Sequence, residues 1–152
     1  MTRLAVWIAT SGPAGYAPIA PGTFGSAVGV ALYFLIARWS IPAQLIAALA
    51  ISAIGIWAST VASRHFDRSD PSQVVIDEVA GQVVTLVGLG SGWVTLTLGF
   101  FLFRALDIIK PWPANRLEAL HGGRGIMADD LMAALYGQAL LRAAIYFFPG
   151  LF

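Results

Sequence analysis

The stretch that decides the fold class is residues 41–63, IPAQLIAALAISAIGIWASTVAS, because it carries no charged side chain. A transmembrane helix needs about 20 predominantly apolar residues to cross the hydrocarbon core of a bilayer. This stretch is long enough to cross once, with Pro42 opening the helix. Three further stretches are nearly uncharged: residues 23–37, 79–103 and 131–148. The stretch at residues 131–148, in which Arg142 is the one charged residue, is also long enough to cross.

The composition is also typical of a membrane protein. Of the 152 residues, 58% are hydrophobic and 11% are charged, whereas soluble domains average roughly 45–50% and about 25%. The length predicts a single domain over residues 1–152. The net charge of +1 argues against nucleic-acid binding, which usually relies on a basic excess. The absence of cysteine excludes disulfides, thiolate metal sites and cysteine-based phosphatase chemistry.

Glycines interrupt the stretch at residues 79–103 and predict a helical hairpin. The sequence GLGSG at residues 88–92 is a poor helix former and a good turn former. We expect Asp77–Val87 to form one arm and Trp93–Ile109 to form the other. The first arm has about 12 residues and reaches only about 18 Å, so it must be short, tilted or partly re-entrant. The predicted fold class is an all-α, polytopic membrane protein with about four to five membrane-embedded helices.

Charged residues gather on one face of such a protein if successive arms cross the membrane in turn. Residues 64–77 and 104–130 then share a face with the N-terminal segment, and this face carries every acidic residue and most basic ones. The positive-inside rule makes it cytoplasmic. We therefore expect a multi-pass protein whose polar motifs lie together on the cytoplasmic side of the plasma membrane.

Two acidic residues, Asp77 and Glu78, begin the hairpin in the sequence IDEVAGQ. In the first turn of a helix the macrodipole stabilises an acid by about 0.3–1 kcal/mol, which is one explanation for the pair. The other explanation is a divalent-metal site, because hard cations such as Mg²⁺ prefer carboxylate oxygens. Both interpretations are open for this pair alone.

Three charges end the returning arm in the sequence FRALDIIKPWP, where Arg104, Asp107 and Lys110 recur at steps of three residues. This spacing places them on one side of a helix that Pro111 terminates. An ion-pair ladder at the membrane interface explains the pattern, but an exposed pair contributes only about 0–1 kcal/mol. The pattern also suits phosphate binding by the two basic side chains, with the acid free for metal.

The sequence GGRGIMADD combines glycines, which let backbone amides approach an anion, with Arg124 and with the adjacent Asp129 and Asp130. We expect the two aspartates to open the last helix. N-capping explains only one of them, since a single residue fills that position. A proline- and glycine-rich loop, APIAPGTFGS, runs into an earlier helix with Thr23 near its start. Helix N-termini bind anions, but a plain turn is the simpler interpretation of this loop.

Four blocks together, APGTFGS, IDEVAGQ, FRALDIIKPWP and GGRGIMADDLMA, resemble the signature blocks of the phosphatidylglycerophosphatase A family, in order and in spacing. The resemblance implies a Mg²⁺-dependent phosphatase of the bacterial inner membrane. Its lipid substrate would be phosphatidylglycerophosphate, from which it removes the terminal phosphate to give phosphatidylglycerol, the last step in the synthesis of that lipid.

The resemblance also implies roles for single residues. The acidic positions of the motifs, which would act in catalysis and in metal binding, are Asp77, Glu78, Asp107, Asp129 and Asp130. The positions expected to bind the substrate phosphate are Arg104, Lys110, Arg124 and Thr23. On this hypothesis the metal neutralises the phosphomonoester and activates a water that attacks phosphorus in line.

Three alternatives belong beside this interpretation. A phosphatase for another lipid phosphomonoester would use the same residues, and the sequence does not separate it from the main hypothesis. A small cation transporter would need charges near the middle of its helices, whereas these acids cluster at predicted helix ends. A structural subunit would leave the paired acids and the glycine block unexplained.

Overall fold

The computed structural model describes residues 1–117 and 120–152, and these residues form helices and loops without a β-strand. Two short 3₁₀ turns, Ala14–Tyr16 and Pro149–Leu151, accompany the α-helices. In chain order the α-helices are α1 (Thr2–Ala9), α2 (Pro21–Ile36), α3 (Ile41–His65), α4 (Ile76–Leu86), α5 (Trp93–Ile109), α6 (Ala114–Leu117) and α7 (Gly123–Phe147). The prediction of an all-α fold is confirmed.

Among the described helices, α3 alone is both long enough and apolar enough to cross a membrane. Its 25 residues measure roughly 37 Å, and the hydrocarbon core is about 30 Å thick. α2 is apolar but has 16 residues. α7 equals α3 in length but is less apolar, because it carries Arg124, Asp129, Asp130 and Arg142. The number of four to five membrane-embedded helices therefore stays a prediction.

The predicted hairpin is confirmed, with α4 ending at Leu86 and α5 beginning at Trp93. Gly88 and Gly90 have φ angles of +72° and +79°, a conformation that glycine adopts without steric penalty. Gln138 on α7 closes the end of α4, donating side-chain hydrogen bonds of 3.0 and 3.1 Å to the carbonyl oxygens of Val84 and of Val87, the residue after the helix. The hairpin places the start of α4 and the end of α5 at the same end of the bundle.

Glycines let α2 pack closely against α4, whose residues are mostly buried. A Cβ at Gly25 would lie 2.8 Å from the carbonyl oxygen of Val75, and a Cβ at Gly29 would lie 2.7 Å from the Cβ of Gln82. Any larger residue at these positions would separate the two helices. The close contact brings the N-terminus of α2, at Pro21, beside the first turn of α4.

The start of α7 differs from the expectation that Asp129 and Asp130 open this helix. The helix begins at Gly123, and both aspartates lie in its second turn. Contact with α3 supports the extra turn: the Gly123 N–H donates a hydrogen bond of 3.1 Å to Thr60 Oγ1, and a Cβ at Gly123 would lie 2.1 Å from the carbonyl oxygen of Ile56. The prediction of an aspartate N-cap is therefore wrong, and Gly123 serves helix packing.

Candidate active site

A cavity of about 560 Å³ opens at one end of the bundle, between the ends of α2, α4, α5 and α7 and the loop before α4. Its acidic lining includes all five carboxylates of the sequence motifs, Asp77, Glu78, Asp107, Asp129 and Asp130. They come from three helices and lie outside the four nearly uncharged stretches of the sequence. The fold thus joins three separate motifs into one site.

Three of these side chains, Asp77, Glu78 and Asp130, form what we call the carboxylate cluster. One oxygen from each lies within 4.8 Å of the others. Each also has a buried oxygen, Oδ1, Oε2 and Oδ2 respectively, that accepts no hydrogen bond from the described residues. Buried carboxylates without partners are costly. Three convergent carboxylate oxygens fit the coordination preferences of a hard divalent cation such as Mg²⁺.

The pKa values of the cluster carboxylates also fit a cation site. Burial raises the pKa of Asp77 and of Asp130 well above the usual aspartate range, and the negative charges of neighbouring carboxylates raise both further. Burial also raises the pKa of Glu78, against a hydrogen bond with Asp77 and the charge of Arg104. A bound cation would favour the ionised form of all three groups.

Arg104 links α5 to the cluster. Its guanidinium donates a hydrogen bond to Asp107 one turn further along the helix, and its Nη1 lies 3.5 Å from Oε1 of Glu78. The spacing of three residues predicted this pairing on one helix face. Asp107 is therefore held by an arginine, whereas the cluster carboxylates converge on one another.

Lys110 pairs with one of the two adjacent aspartates. Its Nζ lies 2.7 Å from Oδ2 of Asp129, while Oδ1 of Asp129 is buried and accepts no hydrogen bond from the described residues. Burial raises the pKa of Asp129, and the hydrogen bond and charge of Lys110 oppose that rise. The adjacent aspartates therefore differ in surroundings: Asp130 joins the carboxylate cluster, and Asp129 faces a lysine.

Three residues expected at the phosphate do not line the cavity, Arg104, Arg124 and Thr23. Arg104 nevertheless contacts two residues that do, Glu78 and Asp107. Arg124 is exposed on the first turn of α7, because its neighbours Gly123 and Gly125 occupy the buried positions. Thr23 is half-buried and follows Gly22, which does line the cavity. The structure therefore leaves Arg104 and Lys110 as the basic motif residues close to the carboxylates.

Gly22 is a site residue that the sequence analysis did not single out. A Cβ at this position would lie 2.0 Å from Oε1 of Glu78 and 3.0 Å from Nη1 of Arg104. The sequence predicts a loop over the stretch that contains it, but α2 already begins at Pro21. The proline and glycine in APGTFGS were the available signal: proline favours the first helical position, and glycine permits close approach.

The loop before α4 also contributes lining residues that no motif indicated. Asp70, Pro71 and Ser72 line the cavity, and the negative charge of Asp70 contributes to the raised pKa of Asp77. These residues meet the site only because the loop folds back over the start of α4. Their position depends on tertiary structure, so sequence spacing carries no signal for it.

Comparison with known proteins identifies the group to which this site belongs. The sequence model of the family described as Phosphatidylglycerophosphatase A matches residues 7–145. The chain belongs to this family. The matched region includes every carboxylate of the cavity as well as Arg104 and Lys110. The site therefore lies entirely within the part of the chain that matches the family.

Three relatives illustrate the range of this family. Phosphatidylglycerophosphatase A of Escherichia coli K12 is 34% identical over 84% of this chain and 75% of its own length. The protein of the same description from Haemophilus influenzae is 32% identical over 84% of this chain and 80% of its own. A Bacteroides thetaiotaomicron protein, provisionally described as a phosphatidylinositol-3-phosphatase, is 34% identical over 93% of both chains. No solved structure matches the chain.

Proposed function

We propose that the protein is a Mg²⁺-dependent phosphatase that hydrolyses the terminal phosphomonoester of phosphatidylglycerophosphate, giving phosphatidylglycerol and phosphate. The observation that carries this proposal is the carboxylate cluster, in which each member has an oxygen that accepts no hydrogen bond from the described residues. Arg104 contacts Glu78 of the cluster, and Lys110 contacts the adjacent Asp129. Membership of the phosphatidylglycerophosphatase A family supports the choice of substrate.

The carboxylate cluster would hold the cation. Mg²⁺ bound there would neutralise phosphate charge and lower the pKa of a coordinated water. Arg104 would orient the phosphate oxygens from the α5 side, because its guanidinium already lies between Glu78 and Asp107. Lys110 would stabilise negative charge at the mouth of the cavity, where it is partly exposed.

Asp129 is the candidate general base. Lys110 holds its Oδ2, and its Oδ1 remains available to accept a proton from the attacking water. The pairing also keeps Asp129 ionised more readily than burial alone would allow. Asp107 would act by holding Arg104 in place.

The cavity would face the cytoplasm in a multi-pass protein of the bacterial inner membrane. The apolar length of α3 and the position of all five carboxylates outside the uncharged stretches support this arrangement. A diacyl lipid could then keep its chains in the bilayer and present its headgroup to the cavity. The same arrangement disfavours a cation transporter, which needs polar groups along the whole path.

A second candidate is hydrolysis of another lipid phosphomonoester. The Bacteroides relative supports this second candidate, because it matches over 93% of both chains and its description names a different lipid substrate. The groups that meet phosphorus would be the same in both cases, so the distinction lies in the remainder of the headgroup.

Phosphate release by the purified protein in detergent tests the proposal. We expect release from phosphatidylglycerophosphate with Mg²⁺ and none after chelation, and slower release from phosphatidylinositol 3-phosphate. Asp77→Asn should abolish release. Asp67→Asn is the matched control, because Asp67 is exposed, does not line the cavity and has a positive φ that asparagine tolerates. Release that ignores chelation would contradict metal dependence, and preference for the inositol lipid would replace the proposed substrate.

A further inference from the structure

An apolar groove lies between α2 and α5, outside the charged cavity. It encloses about 660 Å³, and its lining includes Ala27, Val30, Phe34 and Leu35 from α2 and Leu96 from α5. A smaller hollow of about 250 Å³ shares Ala27, Val30 and Leu96 with it and continues along α5 to Phe100 and Phe101. Exposed apolar side chains such as Phe34, Leu35 and Phe101 border this surface.

The groove is aligned with the cavity because α2 and α5 run in opposite directions. Gly22 of α2 and Arg104 of α5 meet at the cavity end, where a Cβ on the glycine would lie 3.0 Å from the guanidinium. Moving about 12 Å along either helix from this point reaches Val30 on α2 and Leu96 on α5. Those two residues line the groove together, so it continues directly from the contact that borders the site.

We propose that this groove holds an acyl chain of the lipid whose phosphomonoester occupies the cavity. The proposal rests on the proposed phosphatase function and adds where the substrate's tail lies. A headgroup beside Arg104 would place its glycerol at the contact between α2 and α5. The groove leads away from that contact along both helices, and its described lining carries no charged side chain.

The dimensions support a chain within one leaflet. Along α2 the lining runs from Ala27 to Leu35, which is about 7.5 to 20 Å from Gly22 at 1.5 Å per residue. Half of the hydrocarbon core is about 15 Å thick. With the carboxylates at the interface, the groove therefore covers the deeper half of the cytoplasmic leaflet and ends just past the bilayer midplane. The lipid would enter sideways from the bilayer, without leaving it.

Ala27→Trp tests the groove, because the indole would fill the part shared by both hollows. Ala50→Trp is the matched control: Ala50 is also an exposed helical alanine, lies on α3, and lines neither hollow. Both variants would be assayed with a long-chain and a short-chain form of the same phosphatidylglycerophosphate, in the same detergent and with Mg²⁺. Ala27→Leu provides a milder filling if the tryptophan variant unfolds.

We expect Ala27→Trp to raise KM for the long-chain lipid by about tenfold and to leave kcat and the short-chain reaction within about twofold. Ala50→Trp should change neither reaction. Equal losses on both lipids, or no loss on either, would overturn the groove assignment while the wild-type protein still releases phosphate. A wild-type protein inactive on both lipids would instead overturn the proposed function.

A binding measurement that needs no turnover tests the groove assignment separately from the proposed phosphatase function. A lipid that carries a photoreactive diazirine on its acyl chain should label the peptides of α2 and α5 in the wild-type protein. Ala27→Trp should lose that labelling, and Ala50→Trp should keep it. Labelling confined to α3 would contradict the groove.

Discussion

Replacing Gly22 with alanine should abolish turnover while leaving the fold intact. The added Cβ would lie 2.0 Å from Oε1 of Glu78, and ordinary van der Waals contact begins at 3.4 Å. The carboxylate must therefore retreat by 3.4 − 2.0 = 1.4 Å. Because Oε1 is at the end of a flexible side chain, the movement itself is cheap, and alanine favours a helix over glycine by up to about 1 kcal/mol.

The same movement is large compared with the tolerances of metal binding and catalysis. Metal-ligand distances tolerate only about 0.2 Å, and a misplacement of about 1 Å in a catalytic constellation can cost a factor of about 100 in rate. Gly22→Ala should consequently lower kcat by about 100-fold or more and weaken Mg²⁺ activation. The Glu78 carboxylate would also lose its contact with Arg104.

Phosphate release across a Mg²⁺ titration, with thermal unfolding in parallel, measures both effects. Gly92→Ala is the control, since a Cβ there meets only Thr95 Oγ1, at an ordinary 3.6 Å. Near-normal turnover and Mg²⁺ dependence in Gly22→Ala would refute this prediction. A variant that simply unfolded would refute it as well.

Three further predictions follow from the same contacts. Gly25→Ala would place a Cβ 2.8 Å from a backbone oxygen, so it should lower the unfolding free energy by about 1–3 kcal/mol; unchanged thermal stability would contradict this. Lys110→Met removes the group that lowers the pKa of Asp129, so the acidic limb of the pH-rate profile should move to higher pH; an unmoved limb would exclude Asp129 as the base. A cysteine at Ser91, in the hairpin turn, should react with an impermeant reagent only from outside the cell, and labelling from the cytoplasm would reverse the topology.

The raised pKa values of Asp77 and Asp130 predict an unusual pH dependence of stability. Without divalent cations the folded cluster binds more protons than the unfolded chain, so the unfolding free energy should fall as pH rises from the ordinary aspartate pKa towards neutrality. Mg²⁺ should restore stability at the upper end of this range. Thermal unfolding across pH, with and without Mg²⁺, checks both statements. Stability that rises with pH without the cation would contradict them.

The hairpin and the convergence of the acids were accessible from sequence because their signals are local. The glycine turn at residues 88–92 depends on backbone freedom, and the step from Arg104 to Asp107 depends on helix geometry alone. Lys110 lies just beyond the end of α5, with a positive φ. Once the hairpin forms, the start of α4 and the end of α5 must lie together. The order of the motifs along the chain then predicts one site.

The start of α7 and the different surroundings of Asp129 and Asp130 cannot be predicted from local sequence signals. Hydrogen bonding from Gly123 to Thr60 on α3 accompanies the additional helical turn, and no local signal indicates that contact. Which aspartate joins the cluster depends on the rotation of α7 against α4 and on the position of Lys110. The contact between Gly22 and Glu78 has no local signal for the same reason, since the two residues are distant in sequence.

Calorimetric titration of Mg²⁺ into the substrate-free protein tests the central claim most directly, with Asp130→Asn, Asp129→Asn and Asp67→Asn compared with the wild type. We predict that Asp130→Asn loses Mg²⁺ binding, that Asp129→Asn binds Mg²⁺ but no longer releases phosphate, and that Asp67→Asn matches the wild type in both. Undiminished Mg²⁺ binding by Asp130→Asn, or loss of binding in Asp129→Asn alone, would contradict the assignment of the carboxylate cluster as the metal site.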